Sequence, residues 1–421
     1  MNAVELGPVP AERRTQPPID LFLIFAGANL VATTMVTGAS LYPGFTTGAA
    51  LAVVVLGSIA GAALVAALAP VGPRLGVPSV VAARAALGTR GAALVAVFLY
   101  VTNFAWIAIN NVIAGSACAT LAGGPSSERA WAVGVGILAP AIVAGGPRLV
   151  ALADRVAVPL LLALGLMTTV VCLRLPAGGG GAAGIGGLSW VRGLDVVIGY
   201  QVSWILMFAD YSRYTASPRA GAVAVFLGLA VTSAWFMPLG FLAARAAGRT
   251  DPGAMMAAVG LGAAGAILLA LATLTTNFVN VYLSALAWKS LLPGAGEQAS
   301  VWIAGLVGAA LGLLSRVWLD RYVDFMLVLG GVLVPVGGVL LGRFFLGRGE
   351  VDVRALYDPS GPYAQGRGFA VPGLLAWALG ALVYYWAAPI GGTLPSLTAA
   401  ILAYALIGRW WAPTESVRPA R

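Results

Sequence analysis

From residue 20 to residue 411 the chain is a near-continuous succession of apolar runs. Most are near or beyond the roughly 20 residues of helix that a hydrocarbon core about 30 Å thick demands, and the fourth and ninth are short enough to be tilted or partly interfacial. Twelve such runs are delimited: 20–41, 46–70, 92–121, 131–146, 155–174, 194–212, 220–246, 259–289, 300–316, 323–345, 370–388 and 391–411. A soluble domain averages about 25% charged residues, whereas this chain has 9%, with 60% hydrophobic residues and a mean hydropathy of +0.92. The pattern predicts an all-α polytopic membrane protein surrounded by lipid. The first fourteen residues hold no apolar stretch or cleavage site, so the first run is expected to stay in the membrane.

An even number of crossings puts both termini on one face, and the basic residues indicate which. With the N-terminus inside, every Lys and Arg except Arg129, Arg174, Arg192, Arg245, Arg249, Arg316 and Arg321 falls on the cytoplasmic side, the bias expected of multi-pass proteins in an inner or plasma membrane. The net charge of +9 is therefore topological. Basic residues are spread over many short loops, so no nucleic acid partner is expected. Cys118 and Cys172 lie inside predicted spans without metal-site spacing and read as small packing residues.

The Gly-rich run 176–187 divides the chain into five spans before it and five after, with two more to follow. An odd number of spans per unit requires two copies of one fold to lie inverted in the membrane. The expected organisation is a cytoplasmic tail (1–19), a five-helix repeat (20–174), a Gly-rich extracytoplasmic linker (175–193), an inverted five-helix repeat (194–345), a cytoplasmic loop (346–369), helices eleven and twelve (370–411) and a cytoplasmic tail (412–421).

Polar side chains inside these spans need a reason, because a buried amide or hydroxyl without a partner costs about 2–7 kcal/mol. In LATLTTNFVN (271–280), Thr275, Thr276, Asn277 and Asn280 interrupt an apolar helix, with Thr276 and Asn280 on one face. Clustered hydroxyl and carbonyl oxygens suit a hard monovalent cation, while interhelical hydrogen bonding is the plainer explanation. Asn29, Thr33 and Thr37 form an i, i+4, i+8 stripe in the first span, with Gly27 and Gly38 available to loosen the helix.

In the third span Asn103, Trp106 and Asn110 project together, offering an aromatic face between two amides to a flat heterocycle, or simple packing. The sixth span, IGYQVSWILMFADYSRY (198–214), suggests a break at Gly199 flanked by Tyr200, Gln201 and Ser203. Asp210 near its end is either one partner of an i, i+3 ion pair with Arg213 or a gating or proton group. There are no histidines, and the span centres carry hardly any carboxylate. A membrane enzyme is therefore not expected.

These segments resemble the nucleobase-cation-symport-1 family, the cytosine permease and hydantoin permease group. The likeness runs through TTMVTGASL (33–41), GPRLGVPSVVAARAALGTRG (72–91), ADYSRY (209–214), TTNFVN (275–280) and PVGGVLLGRFFL (335–346). It implies twelve spans in a LeuT-type five-plus-five inverted repeat, plus two C-terminal helices. It also implies import of a planar nucleobase-like solute (cytosine, another pyrimidine, a purine) with a cation by alternating access. Hydantoin, allantoin or hydroxymethylpyrimidine, and proton in place of sodium coupling, remain alternatives.

Carried over, the resemblance implies a cation site from the carbonyls of Ala26, Asn29 and Ala272 and the hydroxyls of Thr275 and Thr276. It implies a solute site from Trp106, Asn103 and Asn110, with Asn277 or Asn280 alongside. The family's second stacking aromatic falls, counted back from Asp210, on Gln201 beside Tyr200, and a family asparagine falls on Val281. No cofactor beyond a coupling ion, Na+ or H+, is called for. The sequence leaves the oligomeric state open.

Overall fold

A computed structural model describes residues 7–174, 188–291, 296–314, 316–347 and 350–410. The termini and most of the Gly-rich linker lie outside these. Among the described residues the chain is helical throughout, and its single β feature is an isolated parallel bridge between Gln16 and Thr215. Seven helical segments are long and apolar enough to cross a membrane, and a bent pair passes the same test as one unit. Three shorter apolar helices, Pro159–Cys172, Gln298–Gly312 and Thr393–Gly408, accompany them.

The first span is broken. Helix α1 (Pro18–Asn29) and helix α2 (Ala32–Ala39) meet at 58°. The break falls at Leu30 and Val31, and not at Gly27 or Gly38 as the sequence suggests. Leu30 leaves the helical region at ψ 65° and Val31 is extended. Interrupted backbone survives at membrane depth only where its polar groups are satisfied from elsewhere. Here the Thr34 hydroxyl donates to the Asn29 carbonyl at 2.5 Å.

Gly38 has a different task. A Cβ there would sit 1.8 Å from the Met237 carbonyl oxygen, and one on Gly240 would sit 1.8 Å from that of Met35. The two glycines form a reciprocal contact through which α2 lies directly on helix α9 (Pro218–Ala247). Small residues at such crossings let backbones touch where lipid supplies no hydrophobic drive.

Helices α3 (Thr47–Leu68), α4 (Val71–Leu75), α5 (Ser79–Leu121), α6 (Glu128–Ala144) and α7 (Pro147–Cys172) follow. Gly88, at φ 79°, kinks α5 so that its membrane-crossing part begins near the expected residue 92. After the linker come α8 (Trp190–Val202), α9 (Pro218–Ala247), α10 (Pro252–Ala258) and α11 (Gly262–Leu291). The chain ends with α12 (Glu297–Gly312), α13 (Arg316–Asp320), α14 (Tyr322–Leu341), α15 (Val371–Trp386) and α16 (Thr393–Trp410).

The sixth span also departs from expectation. Gly199 does not break it: the residue is helical and packs against the Met326 carbonyl, where a Cβ would approach to 2.3 Å. The helix stops at Val202, and the chain proceeds through 3-10 turns at Ile205–Met207 and Ser212–Tyr214.

Helices α1, α2, α3, α8 and α9 pack as one group, and α5, α6, α11 and α12 as another. Helices α14, α15 and α16 contact one another, with α14 also against α8. The Asp195 carboxylate ties α8 to the start of α16, accepting from the Gly392 and Thr393 amides at 2.7 and 3.1 Å and from the Thr393 hydroxyl at 2.7 Å. The predicted loop 346–369 is docked rather than free: Leu356 is fully buried, and its carbonyl accepts from the Arg84 guanidinium at 2.9 Å.

Candidate functional site

Between the two helix groups lies a cavity of about 370 Å³. One wall is α5, with Thr102, Asn103, Trp106 and Asn110. The end of α1 and the start of α2 contribute Gly27, Ala28, Val31 and Thr33. The sixth span contributes Tyr200, Ser203, Trp204, Met207 and Tyr211, and α11 contributes Thr275, Thr276, Val279 and Asn280. None of the lining residues is Asp, Glu, Lys, Arg or His. A chamber of this size with apolar walls and a few polar groups suits a small neutral ligand.

Trp106 is held by rings around its edge. Tyr200, Tyr322 and Phe325 meet it in T-shaped contacts, with centroids 5.9, 6.4 and 5.2 Å away. On the same wall the Asn110 amide nitrogen donates to the Trp106 carbonyl at 3.0 Å, one turn back along the helix. That bond fixes the amide's orientation and leaves its buried oxygen without a protein partner. The Asn103 side-chain nitrogen is likewise buried without one. An unsatisfied donor and acceptor on either side of an indole are the groups a heterocycle with its own N–H and C=O would engage.

Across the cavity the Thr275 and Thr276 hydroxyls both donate to the Ala272 carbonyl at 2.9 Å. The Ala26 carbonyl accepts the Leu30 amide at 2.9 Å, and the Asn29 carbonyl holds Thr34. Ala26, Asn29 and Ala272 are buried just behind the cavity wall. The set is oxygen-only and uncharged, the chemistry a hard monovalent ion accepts.

Four predicted positions do not line the cavity. The Asn29 side chain turns to α9, donating to Thr232 Oγ1 at 2.8 Å and Ser233 Oγ at 2.7 Å. The stripe of Asn29, Thr33 and Thr37 is thereby split by the helix break, and Thr37 instead meets the Tyr322 hydroxyl at 2.7 Å. Gln201 is fully buried away from the cavity: it packs on Gly61, and its amide lies 3.4 Å from the Leu229 carbonyl. Asn277 spends its amide on Asn111 Oδ1 at 2.8 Å, on the side of α11 facing α5. Asp210 does not line the cavity either; the Ser79 hydroxyl beside it accepts the Ala209 amide at 2.8 Å.

The residues missed are Trp204 and Tyr211. Both line the cavity and both rest on Phe25 of α1, with centroids 6.2 and 5.9 Å away. The family offset counted back from Asp210 selects Gln201, which lies inside α8 away from the cavity, whereas Trp204, just past the end of α8, lines it.

Residues 8–406 match the family described as permease for cytosine/purines, uracil, thiamine, allantoin. The chain belongs to this permease family. Its nucleobase-cation-symport-1 character agrees with the sequence resemblance, and the permease is a secondary active transporter and not an enzyme. Its helices and family make it a multi-pass membrane protein.

The permease is 24% identical over 386 residues to the putative purine-cytosine permease YxlA of Bacillus subtilis (strain 168), covering 85% of this chain and 82% of the relative. It is 23% identical over 360 residues to the cytosine permease of Escherichia coli (strain K12), with 82% of each covered. Its fold is similar to that of Mhp1 in an inward-facing conformation, with a TM-score of 0.84, 20% identity and 96% and 92% of the two chains covered. Mhp1 in a closed conformation with bromovinylhydantoin bound gives a TM-score of 0.80, 20% identity and 97% and 95% coverage.

Proposed function

We propose that the permease imports a neutral, planar, nucleobase-like heterocycle together with sodium, by alternating access across a cell membrane. The supporting observation is the uncharged cavity in which Trp106 lies between the unsatisfied amide groups of Asn103 and Asn110. Trp106 stacks on the ring, Asn110 accepts from a ring or amino N–H, and Asn103 donates to a carbonyl or imine. Tyr200, Ser203 and Asn280 surround the remaining edge, and Trp204 supplies a second aromatic surface. Without a carboxylate on its walls the site favours neutral bases over thiamine, which carries a fixed positive charge.

Sodium is held by the carbonyls of Ala26, Asn29 and Ala272 and the hydroxyls of Thr275 and Thr276. It bridges the end of α1 to α11 and stabilises the solute-competent state. Asp210 lies off the cavity, so sodium is favoured over a proton taken up there. The long helices, the bent first span, the three shorter apolar helices and the broken sixth span together support twelve crossings, and the bias of the basic residues makes the shared side of the two termini cytoplasmic. They fit a five-plus-five inverted repeat with boundaries 20–174 and 194–345, followed by helices eleven and twelve.

The test is uptake of labelled cytosine, uracil, hypoxanthine and hydantoin into proteoliposomes under an imposed sodium gradient. Accumulation that collapses with the gradient is the expected result. Binding without vectorial flux, or flux indifferent to sodium, overturns the reading.

A further inference from the structure

A chain of hydroxyl groups joins the two candidate sites. The Thr34 hydroxyl donates to the Asn29 carbonyl at 2.5 Å, and the Tyr200 hydroxyl lies 2.6 Å from the same Thr34 oxygen. A hydroxyl has one hydrogen, so the proton in the second contact belongs to Tyr200. The Thr33 hydroxyl stands 3.5 Å from Tyr200 Oη. Asn29 and Thr34 are fully buried, while Thr33 and Tyr200 are 2% and 3% exposed and both line the cavity. In this arrangement every hydrogen points toward the Asn29 carbonyl, and Tyr200 has none to offer a ligand.

We propose that Thr34 is the positioning residue that couples the cation to the solute, by reversing this chain of hydrogen bonds. The inference rests on the sodium and nucleobase sites proposed above. A cation on the Asn29 carbonyl repels the hydroxyl hydrogen aimed at the same oxygen. Thr34 then turns its hydrogen to its other neighbour, Tyr200 Oη, which becomes an acceptor. The Tyr200 hydrogen is released toward the cavity, where it donates to a carbonyl or ring nitrogen of the base. No proton changes its oxygen; only hydroxyl rotors turn. Without the cation, a base acceptor faces the Tyr200 oxygen with no hydrogen between them.

The reversal costs no backbone movement, and the coupling runs both ways. A base that draws the Tyr200 hydrogen toward itself draws the Thr34 hydrogen after it, uncovering the Asn29 carbonyl for the cation. This chain assigns Thr34 a function although it touches neither the base nor, by the proposed ligand set, the ion.

The experiment measures Kd for cytosine, or for the tightest of the four bases above, on purified full-length protein in sodium chloride and in choline chloride. For the wild type, sodium is expected to tighten the base by about 5- to 150-fold. In Thr34→Val, which keeps the shape and removes the hydroxyl, that factor falls to about one, while sodium alone binds as tightly as before or tighter because its carbonyl has lost a competing donor. Thr34→Ser keeps the factor, and Tyr200→Phe loses it. A Thr34→Val protein that retains the wild-type factor overturns the proposal, as does one in which sodium binding weakens along with the coupling, the mark of a purely structural role. A wild type whose base affinity is equal in the two salts overturns the sodium reading itself, and this chain with it.

Discussion

Trp106 carries the largest share of the solute argument, and its neighbours explain why. Three aromatic rings fix its edge, so its face is presented without loss of further side-chain freedom. Removing it in Trp106→Ala forfeits stacking and about 1.5–3 kcal/mol of side-chain burial, so base affinity should fall about ten- to a hundredfold by calorimetric titration. Wild-type affinity would return Trp106 to a packing role. Thr276→Ala leaves the Ala272 carbonyl in place but deletes one hydroxyl. Sodium affinity should then drop about tenfold or more, at the about 1.5–3 kcal/mol typical of a polar group bound to a charge, with base binding in choline unchanged. Loss of base binding in both salts would show that Thr276 serves the solute instead.

The elements are arranged around interruptions in the first and sixth spans. The first presents mostly small residues to the cavity and the sixth mostly aromatic ones, and both are held from behind by α9 or α1. The α2–α9 crossing at Gly38 and Gly240 keeps the second half of the first span in place. A Cβ 1.8 Å from a carbonyl oxygen cannot be accommodated by rotamer changes. Gly240→Ala should therefore separate the two helices at about 1–3 kcal/mol, the usual cost of overpacking, and lower the thermal midpoint in detergent. An unchanged midpoint would mean that α2 and α9 are not in backbone contact. Gln201 also belongs to this scale: packed on Gly61, it stabilises the bundle interior and does not select the solute.

At the scale of the whole molecule, one group of helices faces another across a chamber, and the proposed cation and solute sites lie at its walls. Binding linkage then requires reciprocity: sodium should tighten the base by the same factor that the base tightens sodium. Parallel titrations of each ligand at saturating levels of the other check this. Unequal factors would show that a second ion or a change in assembly enters the cycle.

Membrane residence, the all-helical fold, the family and most of the polar cavity residues were legible in the sequence. Apolar length and isolated polar groups at membrane depth carry that information locally, and the spacing of Asn103, Trp106 and Asn110 on one continuous helix survives folding unchanged. Where the helices break, the spacing argument stops. The interruption at Leu30 and Val31 has no glycine to announce it, and it is sustained by the Thr34 hydroxyl acting across the gap. Trp204 and not Gln201 stands at the cavity wall because Gln201 is still inside α8 and packs on Gly61, while Trp204 follows the end of that helix at Val202. Asn29 and Asn277 look like binding residues in the sequence because a buried amide must find a partner. Only the packed helices decided that Thr232, Ser233 and Asn111 are those partners, since a hydrogen bond between distant segments is fixed by their mutual placement and by nothing in either segment alone.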